Sequence, residues 1–588
     1  MLPLHLQPYA IIVILLLSMI FFIWNKWSYT ITSIFALSAA VILGLVPTNK
    51  AFSGINNPAV ITLASIMICS SVIAKSNILK IAIKKFDIFP QSLSLQVLYF
   101  SFFIAFMSAF INDTGALGIM LPVSVYASLK YNRSPSYILM PIAMASLMGG
   151  AVTIIGTTSN LIISNYRTQA VGKPFTMFDF SHVGFFTALI GVLFIGFLGW
   201  RLLPKKRLEK GSNKPIYTIE IRIAPKSKWV GLTFNSFKEE IKESAEIVGL
   251  IRRKRKLEPT KTTEIKSGDR IIIQTTLESL EELSHSSDIV ISNFIKKGRK
   301  NKSEGTLVEA IIPTKSNLLG KKIKETNLRA LYKVSFIAIS KEDGSEIHRI
   351  RNLIIEAGDM VLLQCKDQSV IDALPSYGLI PIEQPALHLT IGLKNFIPLI
   401  IYAIAILLIG VLSIPIQIGF AAAAVLMLLI EKNAHTYVLK EFDWSVIILL
   451  VTMIPIGDAL TQTNGAALLA QLISKLALHQ SILWTIALLI LISMIVANFI
   501  HNVATAVLMA PIAISLGTIL KISVDPLLMA VAIGASTALV TPIGHHNNLL
   551  VMGPGKYKFS DFMRLGLPLQ IIVLLLATPL IYWMWYLK

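Results

Sequence analysis

Cysteine is nearly absent: Cys69 and Cys365 are the only two in 588 residues, and they lie far apart in different surroundings. That excludes a disulfide framework and a thiolate metal centre. Charge is scarce as well, at 15% of residues against 54% hydrophobic, and the mean hydropathy is +0.68. This is not the composition of an ordinary soluble protein. No Walker-type phosphate loop occurs, which argues against ATP as an energy source, and no metalloprotease or serine-hydrolase motif occurs either. The apolar start, Ala10 to Trp24, has no basic leader and no small-residue cleavage site, so it reads as a retained span. The net charge of +20 could suggest nucleic acid, but Lys and Arg concentrate between residues 201 and 390. The remainder fits the positive-inside bias of a membrane protein, so no nucleic-acid partner is expected.

What is present in quantity is apolar runs of roughly 18 residues or more, each long enough to cross a bilayer. Polar clusters interrupt some of them, and the clusters occur in pairs. Phe110-Ile111-Asn112-Asp113-Thr114 and Phe499-Ile500-His501-Asn502-Val503 both begin Phe-Ile, continue apolar, and reach a proline at the same spacing, Pro122 and Pro511. A second pair follows: Ile155-Gly156-Thr157-Thr158-Ser159-Asn160 and Ile543-Gly544-His545-His546-Asn547-Asn548. Polar groups are costly in lipid, so matched pairs of them mark function. Two halves with matched interruptions are the pattern of a secondary transporter with its site at the repeat interface.

The first half reads as spans near 10–24, 30–47 and 58–75, a re-entrant hairpin over 93–129, a broken span near 137–165 and a span near 181–203. The second reads as spans near 394–411, 414–430 and 445–461, a hairpin near 480–520, a broken span near 527–552 and a last span near 565–586. With both termini outside, the inside loops hold Lys26, Lys75, Lys80, Lys84, Lys85, Lys130, Arg133, Lys432, Lys440, Lys556, Lys558 and Arg564. The outside loops hold Lys50, Arg167, Lys173, Lys475, Lys521 and Lys588. The hairpins then open to opposite sides, which makes an inverted repeat. The expected localisation is a multi-pass cell (inner) membrane protein with residues 205–390 cytoplasmic.

Residues 205–390 change character. β-like alternation appears in Tyr217–Ile223, and Lys266-Ser267-Gly268-Asp269-Arg270 matches Glu356-Ala357-Gly358-Asp359-Met360, each Gly-Asp a turn feeding a strand. The expectation is four parts: a transmembrane repeat over 1–204, two α+β domains over 205–298 and 299–390 with a joint near 296–305, and a second repeat over 391–588. The fold class is mainly α. The run Arg252 to Lys256 reads as a solvated loop, and Asp458 as interfacial.

These motifs resemble those of the divalent anion:sodium symporter family within the ion transporter superfamily. The stretch Ala538 to Gly555, with the Gly-Asp strand repeats, resembles its branch carrying tandem TrkA-C (RCK C-terminal) domains, which are often regulatory ligand binders. The resemblance implies a substrate and ion site at the hairpin tips Asn112, Asp113, Thr114, His501, Asn502 and Thr505. It adds the breaks Gly156, Thr157, Thr158, Ser159 and Asn160, and Thr541, Gly544, His545, His546, Asn547 and Asn548. Sodium would sit near Asn112, Asp113 and Gly156 and near Asn502 and Gly544. Two departures stand out: Asp113 replaces the usual Asn, and His501-Asn502-Val503 is a weak second tip. A carboxylate repels a dianion unless a proton or cation neutralises it, so the coupling ion is left as sodium or proton. Of the adjacent His545 and His546, one is expected to face away. The implied function is cation-coupled symport of a small anion such as sulfate or a di-/monocarboxylate, without a cofactor, in a homodimer. A small regulatory ligand is expected at the TrkA-C-like domains. A ligand-gated channel and a membrane sensor are the rival readings.

Overall fold

The computed structural model describes residues 3–24, 26–75, 90–131, 133–204, 217–225, 227–241, 245–252, 255–257, 260, 262–276, 279–280, 289–291, 306–313, 316–326, 328, 334–340, 353–365, 370, 374–382, 396–412, 414–431, 438, 442–477 and 481–587. The joint near 296–305, the residues Arg253 and Lys254, and the loop lysines Lys80, Lys84, Lys85, Lys432, Lys440 and Lys588 lie outside the described residues.

The first half opens with helices α1 (Gln7–Trp24), α2 (Tyr29–Ile42) and α3 (Pro58–Lys75). The expected span 30–47 ends early, because Gly44 turns the chain in the left-handed region at φ +74°. Next comes the hairpin: α4 (Leu93–Phe110) and α5 (Asp113–Lys130) pack on each other, joined by only Ile111 and Asn112. The broken span is α6 (Leu139–Gly150) and α7 (Thr158–Val171), followed by α8 (Ser181–Phe197).

A sheet follows. Its elements are β1 (Tyr217–Ile223), the short α9 (Phe234–Ile241), β2 (Glu246–Arg252), β3 (Arg255–Leu257), β4 (Arg270–Thr275), β5 (Ile289–Ile291), β6 (Thr306–Ile311), β7 (Val334–Ser340), β8 (Met360–Cys365) and β9 (Ile380–Ile382). The two Gly-Asp turns form alike: Asp269 Oδ2 accepts the Lys266 N–H, and Asp359 Oδ2 accepts the Glu356 N–H, both at 2.9 Å. Each turn carries its glycine at positive φ, +84° at Gly268 and +91° at Gly358. The two expected α+β units share one sheet, in the order β3-β2-β4-β1-β7-β8-β6-β9 with β5 on β1. They join antiparallel at Thr218↔Ile339, where Tyr217 Oη donates to Glu309 Oε1 at 2.6 Å. Burial, then the neighbouring Glu309, holds the Tyr217 phenol well above its ordinary pKa. The basic run is not a free loop, because Arg252 and Arg255 pair as the last rungs of the β2–β3 hairpin. Arg252 forks onto Asp269, donating from Nε at 2.8 Å and Nη2 at 2.7 Å.

The second half repeats the first: α10 (Ile397–Leu412), α11 (Ile416–Ile430), α12 (Trp444–Gln462), α13 (Gly465–Ala477), hairpin helices α14 (Ile482–Phe499) and α15 (Asn502–Leu520), broken helices α16 (Val524–Ser536) and α17 (His546–Met552), and α18 (Phe559–Ile581). Seven helices among the described residues are long and apolar enough to cross a membrane, and several shorter apolar ones accompany them. Helix α13 was not anticipated. It buries Ala466, Ala470 and Ile473 while Leu472 and Leu476 stay exposed, and it packs on α15 and α1. Helix α17 is half the length of α7, because Gly553-Pro554-Gly555 stops it. The halves interleave: α2 packs on α12, and α3 on α11.

Candidate functional site

Each hairpin tip is a helix N-terminus, where unpaired N–H groups gather positive potential. At the first, Asn112 Oδ1 accepts the Thr114 N–H at 3.0 Å, and Asp113 Oδ1 takes the same donor at 2.7 Å. At the second, Asn502 Oδ1 accepts the Val503 N–H at 2.9 Å and His501 Nδ1 accepts it at 3.3 Å. Thr505 Oγ1 donates back to the His501 carbonyl.

The breaks are pinned behind these tips by equivalent residues. Thr153 Oγ1 donates to the Ala109 carbonyl, and its counterpart Thr541 Oγ1 to that of Asn498. Asn160 Nδ2 ties back to the Thr153 carbonyl at 2.9 Å, while Asn548 Nδ2 reaches those of Thr541 at 3.0 Å and Ala538 at 3.1 Å. Glycine is required where the backbones cross. A Cβ on Gly156 would stand 2.4 Å from the Gly150 carbonyl oxygen, and one on Gly544 2.6 Å from that of Ala497. Gly156→Ala therefore overpacks against backbone and is expected to cost about 1–3 kcal/mol. Gly118→Ala, which meets nothing within 4 Å, should be near neutral, and thermal unfolding in detergent compares the two.

The halves then meet crosswise. His545, at the second break, brings Nε2 to 3.1 Å from Asp113 Oδ2 at the first tip. Thr157, at the first break, accepts from Asn502 Nδ2 at the second tip, at 3.3 Å. Asp113 and His545 are buried, as are Thr157 and Asn502. Nδ1 of His545 accepts the Asn547 N–H at 3.2 Å, which leaves the ring proton of the neutral imidazole on Nε2, facing Asp113. Around this pair, Asp113 N–H donates to the Gly156 carbonyl and Ser146 Oγ to that of Asp113. Asn547 Nδ2 donates to Ser146 Oγ at 2.7 Å. Ser159 Oγ lies 3.2 Å from Thr157 Oγ1 and 3.3 Å from Ser536 Oγ, and Ser536 in turn donates to Asn160 Oδ1. Two buried amide oxygens, Asn547 Oδ1 and Asn548 Oδ1, have no hydrogen-bond partner among the described residues.

So the predicted residues Asn112, Asp113, Thr114, Gly156, Thr157, Ser159, Asn160, Asn502, Thr541, Gly544, His545, Asn547 and Asn548 converge. His501 joins through its ring, stacked on His545 at 6.2 Å. Thr505 is buried one turn behind the second tip, and Thr158 starts α7. His546 is only half-buried, whereas its neighbour His545 faces the tip. Asp458 sits half-buried near the end of α12. Sequence reasoning missed Ser146 and Ser536, single hydroxyls on the apolar helices α6 and α16, and Tyr29, which meets the His501 ring edge-on at 5.8 Å. Ser146 stands alone in an apolar run, whereas Ser536 sits beside Thr537 and Tyr29 between Ser28 and Thr30, and none of the three has a matched partner in the other half to mark it.

Two clamps fasten the broken helices of one half to those of the other. Arg167 grips Asp525 with two 2.8 Å bonds, and Tyr557 Oη donates to the Ser136 carbonyl while accepting the Met140 N–H at 2.9 Å. Charge-assisted forks are the stronger kind, so Arg167→Ala should cost about 1.5–3 kcal/mol, read as a fall in the melting temperature in detergent. The swap Arg167→Asp with Asp525→Arg should recover part of it.

A profile of the citrate transporter family (CitMHS) matches residues 19–534 and 484–588. The chain belongs to the citrate transporter family. Members of this family are membrane transporters, and the fold is that of a multi-pass one. An uncharacterized transporter of Synechocystis is 27% identical over 591 residues, covering 97% of this chain and 96% of its own. The uncharacterized transporter YfbS of Escherichia coli is 23% identical over 598 residues, covering 97% of each. Sodium/sulfate cotransporter 2 of Chlamydomonas reinhardtii is 26% identical over 295 residues, 47% of this chain and 32% of its own. The symporter resemblance is thus resolved, within the ion transporter superfamily, to the citrate transporter family.

Proposed function

We propose that this member of the citrate transporter family is a cation-coupled symporter of a small anion, sulfate or a di-/monocarboxylate, working by alternating access. The observation that carries the reading is the crosswise meeting of tips and breaks, His545 with Asp113 and Asn502 with Thr157. Two helix N-termini supply donors for an anion, and the partnerless Asn547 and Asn548 oxygens call for a cation or a donor. Sodium, where it is the coupling ion, would use Asn112, Asp113 and the Gly156 carbonyl, with a second place near Asn502 and Gly544. Sodium coupling is supported by the sodium/sulfate cotransporter relatives, and proton coupling by Asp113 and His545. Because the clamps tie the broken helices together, the hairpin and broken-helix units would move as a group against the other spans.

The chain is taken as two transmembrane repeats, 1–204 and 391–588, around TrkA-C-like regulatory units at 205–298 and 299–390. Residues 205–390 would be cytoplasmic, in the cell (inner) membrane, with both termini outside. Arg167 with Asp525 joins two broken-helix ends next to loops assigned outside, and Tyr557 with Ser136 and Met140 joins the loop after α17 to the start of α6 on the side assigned inside, in keeping with that orientation. A homodimer and a small ligand on the regulatory units complete the reading. Uptake of labelled sulfate and labelled citrate into proteoliposomes, with sodium and pH gradients imposed separately, tests it. Accumulation against a gradient under one of the two is expected. No accumulation under either would overturn symport.

A further inference from the structure

The two Gly-Asp turns are built alike but have different surroundings. Beside the first, the strand rung is Arg222↔Arg270; beside the second, at the equivalent register, it is Ile311↔Met360. A Cβ on Gly268 would find only the Arg222 guanidinium, at 3.4 Å. One on Gly358 would meet the Gly553 carbonyl oxygen at 3.3 Å and Lys556 Cε at 3.6 Å. Ile311 is buried in the core of the helical part, Met360 and Ile380 pack against that core, and β9 lies on α5. The antiparallel junction of β1 with β7 turns the second unit end for end relative to the first. One turn therefore faces the helices, with apolar neighbours, and the other, flanked by arginines, faces away.

The loop that the second turn touches leads directly out of α17. At the start of α17 stand His545, Asn547 and Asn548; at the far end of the loop, Tyr557 holds Ser136 and Met140. We propose that the Glu356–Asp359 turn, seated with Ile311, Met360 and Ile380, is a brake on α17. The proposal rests on the transport reading above. Seated, the turn fixes the 553–557 loop while His545 meets Asp113 and Asn547 meets Ser146. An anion entering between tips and breaks must part those contacts, so α17 and its loop shift and the seat loosens. Whatever holds the second unit down restrains transport, and whatever lifts it releases transport.

The test uses the full chain in proteoliposomes. Both native cysteines are buried, and burial pushes the Cys365 thiol up to about 11, so introduced thiols react selectively near neutral pH. Ala357→Cys with Lys556→Cys, bridged by a short cleavable bis-thiol reagent, should lower initial uptake of labelled sulfate or citrate roughly tenfold, with recovery on cleavage. Met360→Glu, which puts a carboxylate into the apolar seat, should raise uptake about two- to fivefold and speed amide exchange across 546–557. Arg270→Glu, the matching change on the first unit, should do neither. Unchanged uptake at full bridging, or exchange across 546–557 identical in Met360→Glu and wild type, overturns the brake. Absence of wild-type uptake would count against the transport reading instead, and the exchange comparison would still decide the seat.

Discussion

Asp113→Asn is expected to flatten the dependence of uptake on its coupling ion. At limiting coupling-ion concentration it should lower uptake roughly ten- to a hundredfold, equivalent to about 1.4–2.8 kcal/mol. Within the two tips and two breaks Asp113 is the only acidic residue. Its equivalent in the other half, Asn502, makes the same kind of cross-half contact with no formal charge. A carboxylate beside an anion site is useful only if a cation or proton accompanies the anion; otherwise it repels it. Asparagine keeps the shape, can still accept from His545 Nε2, and removes only the charge. The measurement is initial uptake against external sodium at fixed pH, and against pH at fixed sodium. Curves that superimpose on wild type in both series would remove Asp113 from coupling.

Asn548→Ala should do more damage than Asn160→Ala, although the two positions correspond. Asn548 Nδ2 caps two backbone carbonyls of the second break, those of Ala538 and Thr541, whereas Asn160 Nδ2 caps one, that of Thr153. Each buried backbone carbonyl left without its donor costs about 1–3 kcal/mol, so in backbone carbonyls the second break loses up to twice as much. Asn160→Ala also gives up the bond from Ser536 Oγ to Asn160 Oδ1, but at 3.4 Å this is the longest of the set, and the Ser536 hydroxyl keeps Ser159 Oγ within 3.3 Å as another partner. Helix α17 is also too short to hold itself in place. The expected result is a larger drop in melting temperature for Asn548→Ala and near-complete loss of uptake, with Asn160→Ala retaining part. Equal drops would mean that the two breaks are not held as described.

The paired breaks were legible because a polar cluster inside an apolar run has few explanations in lipid, and two at matched spacing have fewer. Thus Asn112 to Thr114 and Asn502 were placed at tips, and Gly156 and Gly544 at helix breaks. Helix α13 was not legible, since its short run of alanines and leucines does not rise above the background of a chain this hydrophobic. The basic run from Arg252 was misread because a charge cluster looks the same as a loop or as the end of a β-hairpin. Only the partner Asp269 distinguishes them. Ser146 and Ser536 gave no pattern, because a single hydroxyl in a helix usually bonds its own backbone.

From the linear chain alone came the membrane class, the duplication, the tips and breaks, and the two Gly-Asp turns, because each is written in local composition and spacing. The tertiary structure decided which half touches which. His545 answers Asp113 rather than a residue of its own half, the α+β units merge into one sheet, and among the described residues it is the second unit that sits on the helices. Contacts between segments hundreds of residues apart depend on how helices pack and strands pair across the molecule, and no local pattern carries that information.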